Sequence, residues 1–212
     1  MYIYCEGQTE ESFINNVLAP YLGNVEIYAI PIICTTSRKG GKKFKGGVSD
    51  YSKIKNELSI ICKQHKNEIV TTMFDYYAMP SNTPGINNAE ADLYKRIAEI
   101  EETVAQDISC DNLFFHFNVH EFEGLLYAEP SAFSAIADKA VVTAIAKDRS
   151  EVINPEYINN SFETAPSKRL ERLMPDYAKV KNGTIVSQRI GIDKIISECP
   201  HFATWIDKIK SH

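Results

Sequence analysis

Apolar positions along the chain follow two periods that alternate. Residues 1–5, Met-Tyr-Ile-Tyr-Cys, form a β-prone run that stops at Glu6-Gly7-Gln8-Thr9, where turn chemistry begins. Phe13, Val17 and Leu18 then recur at helical spacing. Thr9 is a candidate cap, Glu10 and Glu11 suit the positive end of the helix dipole, and Pro20 and Gly23 mark the end. Val25 to Cys34 is a second β-rich run, followed by a stretch dense in Gly and Lys and by an amphipathic helix through Ile54, Leu58, Ile61 and Cys62. The third run, Ile69 to Phe74, ends at Asp75-Tyr76-Tyr77. A Pro- and Asn-rich loop from Met79 to Asn88 leads from it into a helix through Leu93, Ile97, Ile100 and Val104. The fourth, Leu113 to Val119, ends at His120-Glu121-Phe122-Glu123.

Strands alternating with helices predict an α/β fold, a mostly parallel, Rossmann-like sheet with helices on both faces, because parallel strands need crossovers of about a dozen residues. This core is expected over residues 1–130. Beyond it the β-rich runs stop, and helical segments punctuated by Pro155, Pro166, Pro175 and Pro200 predict a helical C-terminal extension, 131–212, packed on the core.

Composition narrows the class. With 212 residues, 44% of them hydrophobic, the chain can bury one substantial core. The balance of 23 Lys and Arg against 28 Asp and Glu excludes a protein that coats nucleic acid by bulk positive charge. Cys5, Cys34, Cys62, Cys110 and Cys199 are odd in number and contain no C-x-x-C pair, so no zinc or dithiol motif is read from them and a reducing, cytoplasmic setting is expected. No apolar run approaches the roughly 20 residues of a membrane span, and no membrane association is expected.

The candidate chemistry is positional. Glu6, Asp75 and the Glu121/Glu123 pair each follow the end of a predicted strand, the edge where ligands bind in open α/β sheets. Converging carboxylates there would suit Mg²⁺ or Mn²⁺, which take oxygen ligands; solvated loop carboxylates are the plain alternative. Residues 121 and 123 would point about 200° apart on a helix, so one of them is expected to face the site. His120 is a candidate general acid or base, metal ligand or structural residue. Arg38, Lys39, Lys42, Lys43 and Lys45 gather five positive charges and no acidic residue around Phe44 in a Gly-rich loop suited to a polyanion, or simply to water. No Walker A spacing occurs in it, so no intrinsic ATPase is expected. Thr164-Ala165-Pro166-Ser167-Lys168-Arg169 reads as a capped helix start, where free N–H groups with Lys168 and Arg169 could receive a phosphate.

Four segments together carry a resemblance: Glu6-Gly7-Gln8-Thr9-Glu10, Phe74-Asp75-Tyr76-Tyr77, His120-Glu121-Phe122-Glu123-Gly124-Leu125-Leu126 and Thr164-Ala165-Pro166-Ser167-Lys168-Arg169-Leu170. In that order, and with Cys199-Pro200-His201-Phe202 and Trp205 near the end, they resemble bacterial domain-of-unknown-function family 4276, over essentially the whole chain. That family is grouped with the Toprim-like superfamily, which includes the overcoming-lysogenization-defect nucleases. The resemblance implies a metal-dependent nuclease or related phosphoryl-transfer enzyme on DNA or RNA, encoded near an ATPase partner in phage-defence loci. It implies metal-site and catalytic roles for Glu6, Glu10 and Asp75. The second carboxylate of the usual D-x-D is absent, since position 77 is Tyr, and Glu121 or Glu123 would have to replace it. A non-catalytic nucleic-acid-binding or regulatory subunit of an ATPase complex is the competing expectation, a small-nucleotide phosphohydrolase a third, and a homo-oligomer is compatible with any of them.

Overall fold

The computed structural model describes residues 1–35, 50–159 and 164–212. The basic run containing Arg38, Lys39, Lys42, Lys43 and Lys45 lies outside these residues. The chain is an α/β protein built on a parallel sheet. Its strands are β1 (Tyr2–Cys5), β2 (Ile30–Ile33), β3 (Val70–Asp75), β4 (Leu113–Phe114) and β5 (Phe117–Asn118), in the order β2-β1-β3-β4, with β5 also on β3. Every pairing is parallel, with Cys5 opposite both Ile33 and Met73, and Asp75 opposite Asn118.

The second run is strand only over Ile30–Ile33, shorter than its apolar pattern, and Pro31 is tolerated because β2 is the edge strand. The fourth run is broken in two for a local reason. At the break, Thr72 Oγ1 both accepts the His116 N–H and donates to the His116 carbonyl, each at 2.8 Å, so a buried hydroxyl replaces two rungs of the ladder.

Helices cover both faces, which is why β1 and β3 read as continuous apolar runs. On one face, Tyr4, Val70 and Phe74 pack against α3 (Tyr51–Gln64) and α4 (Leu93–Ile108). The Asp50 and Asp92 carboxylates cap these two helices through the N–H groups of Ser52 and Lys95. On the other face, Ile3, Cys5 and Met73 pack against residues from the first helical segment and the C-terminal helices. The first helix is continuous but changes pitch, from α1 (Gln8–Phe13) through a π-helical turn (Ile14–Leu18) to α2 (Ala19–Gly23). Its N-cap is Gly7, two residues before Thr9.

The C-terminal part is helical, with α5 (Lys139–Ser150), α6 (Pro166–Leu173), α7 (Lys179–Ile190), α8 (Ile192–Glu198) and α9 (Pro200–Lys210). It supplies Val186, Ile195, Phe202, Trp205 and Ile206 to the same core cluster as β1, and Trp205 Nε1 donates to Thr71 Oγ1 of β3 at 2.9 Å. Among the described residues, no helix is long and apolar enough to cross a membrane. All five cysteines are free thiols.

Candidate active site

The strand order puts a topological switch between β1 and β3: from β1 the chain crosses to β2 on one side, then returns to place β3 and β4 on the other. A crevice forms at the carboxyl ends of strands at such a point. Glu6 leaves β1 there and Asp75 ends β3 there, with the Glu6 N–H still reaching the Met73 carbonyl at 3.4 Å. Glu10 enters from the first turn of α1 and Glu123 from a 3-10 segment, Phe122–Ala128, that follows β5.

Each carboxylate is held by identifiable backbone. Asp75 Oδ1 accepts the Phe122 N–H at 2.8 Å and the Asn118 amide at 3.0 Å, which ties the end of β3 to the turn after β5. Glu10 Oε2 accepts the Gly7 N–H at 3.0 Å, folding its carboxylate back over the start of its own helix. Glu123 is 2% exposed, and its Oε1 lies 3.3 Å from Lys179 Nζ at the start of α7. Glu121 is extended rather than helical, so the 200° separation expected from a helix does not apply. Its Oε2 accepts the Ser167 N–H at 3.0 Å and so occupies the start of α6.

The electrostatics follow from crowding like charges where water is scarce. Burial lifts Asp75 well above the usual carboxylate range; Glu10, Glu6 and Glu123 add to the rise and the Asn118 amide opposes it. Burial pushes Glu10 up to about 7 against the pull of N–H groups at the helix start, with Glu6 and Glu123 contributing repulsion. Glu6 is raised by burial and by Glu121 and Glu123, and is lowered in part by the Asp75 N–H and Lys179. Glu123 is also raised by burial, with Lys179 opposing. Burial disfavours the Lys179 ammonium, yet Glu123, Glu121 and Asp75 outweigh that and raise its pKa. Burial and mutual repulsion thus raise Glu6, Glu10, Asp75 and Glu123, and Lys179 opposes the rise at Glu6 and Glu123.

The remaining residues expected at a site are placed elsewhere or bound locally. His120 sits in a left-handed turn (φ 66°), and burial, with Arg96 nearby, lowers its pKa to about 4 against the pull of Glu121, so it is neutral at pH 7. Lys168 pairs with Glu171 at 2.7 Å. Arg169 donates from Nε to the Thr164 carbonyl and pairs with Asp148 at 3.2 Å. The N-cap of α6 is Ala165 rather than Thr164, whose hydroxyl donates to Asn159 Oδ1. Tyr77 follows Asp75 on an exposed turn, and its N–H is bonded to the His120 carbonyl.

Lys179 and Asn118 were not expected. Neither stands in a recognisable motif, and each acquires its place through the long-range approach of α7 or β5 to the end of β3. A second buried cluster was also missed. Glu101, His116 and His201 each offer a ligand atom, all within 4.8 Å of one another, so the three could hold a metal ion. They already satisfy much of one another: Glu101 Oε1 accepts the Phe117 N–H at 2.7 Å, lies 2.8 Å from His201 Nε2 and lies 3.5 Å from His116 Nδ1. Burial opposes ionising Glu101, but hydrogen bonds from His116 and His201 prevail and lower its pKa to about 2. Burial likewise opposes charging His201, and Glu101 overrides it to raise that pKa.

The donor set at the strand ends is of the type a hard divalent cation takes. It is all oxygen, its carboxylates outnumber Lys179, and beside Asp75 the buried Asn118 Oδ1 has no hydrogen-bond donor among the described residues. Among those residues, however, the group whose ligand atoms lie within 4.8 Å of one another is Glu101, His116 and His201. Comparison with known proteins gives a match between residues 5–210 and the family model described as Domain of unknown function (DUF4276). No curated protein matches, and no solved structure does.

Proposed function

The chain belongs to the DUF4276 family, and from that premise we propose that it is a Mg²⁺- or Mn²⁺-dependent phosphoryl-transfer enzyme, a nuclease acting on DNA or RNA. The observation that carries the proposal is the group of repelling carboxylates at the switch between β1 and β3. Buried charge of one sign is costly unless an opposite charge joins it. Glu6, Asp75 and Glu123 would hold the ion, and Glu10, anchored through one oxygen to Gly7, would complete its surroundings. Glu123 takes the place left by Tyr77, entering from the next strand end.

A divalent ion bound there supplies Lewis acidity to a phosphate ester and makes water a better nucleophile at neutral pH. The protein's own contribution is to preorganise the oxygens. Asp75 is fixed by two N–H donors, Glu123 is immobilised in the core, and the Asn118 amide orients Asp75. Neutral near pH 7, His120 keeps one ring N–H for hydrogen bonding, and its lowered pKa makes it a weak base and leaves no imidazolium to serve as a general acid there. The Toprim-like resemblance of Glu6-Gly7-Gln8-Thr9-Glu10 supports nucleic acid as the substrate, with an ATPase partner and a cytoplasmic phage-defence setting. A binding or regulatory subunit of an ATPase complex is the second reading, favoured by the lysine that already pairs with Glu123.

The experiment is calorimetric titration with Mn²⁺ followed by cleavage of plasmid and single-stranded substrates, comparing wild type with Glu6→Gln and Asp75→Asn. Wild type should bind and cleave, and each substitution should reduce binding at least tenfold and abolish cleavage. Binding without cleavage of any substrate would support the regulatory subunit. Cleavage unaffected by both substitutions would overturn the site.

A further inference from the structure

Lys179 differs from the other charged groups of the site in where it stands. Its Nζ is 3.3 Å from Glu123 Oε1, yet 42% of its side chain is exposed against 2% for Glu123. The lysine side chain is therefore only partly covered, while the carboxylate it pairs with is buried. Its charge is felt by Glu6 and Glu123, and the charges of Glu121 and Asp75 are felt by it. Beside it opens a shallow cleft of about 540 Å³ between α1 and α7, lined by Ser12, Lys179, Val180, Lys181, Thr184 and Ile185. Exposed Lys181 adds a second positive charge, and Ser12 and Thr184, both of which line the cleft, bond to each other through their hydroxyls at 2.7 Å.

We infer that Lys179 exchanges partners: it neutralises Glu123 in the metal-free protein, yields that carboxylate to a divalent cation, and then holds an oxygen of the substrate phosphate while the flanking strand runs along the α1–α7 cleft. The inference rests on the metal-dependent reading above. A divalent ion on Glu123 and an ammonium on the same carboxylate repel, so the two compete for it. Lysine suits such an exchange, since its compact charge sits on a flexible four-carbon stem and its three donors have no fixed fork to break. A phosphodiester brings one negative charge per nucleotide to the place where the displaced ammonium meets solvent. The apolar lining of the cleft, Val180 and Ile185, fits the sugar and base of a neighbouring nucleotide, with Lys181 placed for the next phosphate.

Two affinities separate this exchange from a merely structural lysine. In Lys179→Met, Mn²⁺ binding without nucleic acid should tighten about three- to tenfold, because a competing cation has been removed. The same variant should bind a fluorescent single-stranded 12-mer, in DNA and RNA versions with non-cleaving Ca²⁺, about five- to tenfold more weakly, and its salt dependence should fall by about one released counterion. Lys179→Arg should recover most of the oligonucleotide affinity. Lys181→Ala should weaken the oligonucleotide and leave Mn²⁺ unchanged. Mn²⁺ affinity that is unchanged or weaker in Lys179→Met, or oligonucleotide affinity that is unchanged, would overturn the exchange while leaving the metal site standing. A wild-type protein that binds no Mn²⁺ would overturn the metal reading, and the exchange with it.

Discussion

Glu10 offers a direct reading of the charge imbalance at the strand ends, because its carboxylate can be neutralised without losing its hydrogen bond. Its pKa rises from an ordinary 4.5 to about 7 on folding. A group whose folded pKa is raised contributes stability that is fully present below its unfolded pKa and is lost as pH rises through the folded value. Here the loss falls between about pH 4.5 and 7. At about 1.4 kcal/mol per pKa unit, a full shift would cost the metal-free protein about 3 kcal/mol at pH 8, and sharing of protons among Glu6, Asp75 and Glu123 reduces this to about 1–3 kcal/mol. In Glu10→Gln the amide oxygen can still accept the Gly7 N–H, so the charge alone is removed. Urea denaturation in EDTA should then show Glu10→Gln level with wild type at pH 4 and more stable by about 1–3 kcal/mol at pH 8. Saturating Mn²⁺ should erase or reverse the advantage, since ligand at a hundred times its Kd stabilises the folded state by about 2.7 kcal/mol. A variant less stable than wild type at pH 8, or offset equally at both pH values, would refute the claim that these carboxylates repel.

Two further substitutions test the scaffold behind the site. Glu101→Gln should destabilise the protein by about 3–5 kcal/mol by stranding the buried histidines; because the Glu101 pKa is lowered, the gap should close as pH falls from about 4.5 towards 2, measured by denaturation across that range. Thr72→Val should cost about 2–5 kcal/mol by leaving the buried His116 N–H and carbonyl unpaired, and Thr72→Ser should restore most of it; equal stability of Val and Ser would show that the hydroxyl does not hold the break in the fourth strand.

The parts of this molecule that were legible in the sequence are those set by local pattern. Tyr2–Cys5 and Val70–Asp75 were readable because both faces of these strands are buried, which leaves an apolar run cut off sharply by a carboxylate. The helices through Ile54 and Ile97 announced themselves by their spacing. The second strand read too long because Val25 and Tyr28 are β-prone but exposed, so propensity there is not matched by pairing. The division of the fourth run was invisible because it depends on Thr72, more than forty residues away. Which of Glu121 and Glu123 turns toward Lys179 was not legible, because Glu121 is extended and the helical angle between the two does not apply. Lys179, Glu101 and His116 carried no signal, and His201 stood only within a segment of the family resemblance, since the meaning of all four lies in which helices pack over the sheet.

The two buried charge clusters are opposites, and the contrast bears on what each is for. Glu101 has its partners within the fold: two histidines and a backbone N–H turn burial, which should have raised its pKa, into a net lowering to about 2. That cluster links α4, β5 and α9, its Glu101 charge is met by ring nitrogens from both histidines, and one buried atom, His116 Nε2, is left without a hydrogen-bond partner among the described residues. At the strand ends the same burial is left uncorrected, and Glu6, Glu10, Asp75 and Glu123 all shift upward despite Lys179. A fold that needed only stability could have placed apolar side chains or further lysines there at lower cost. Uncompensated charge is tolerable where it is paired during function by something the chain does not itself supply. On the proposed reading the chemistry stands at the ends of β1 and β3, while the histidine cluster, which could itself hold a metal ion, ties the C-terminal helix to the sheet.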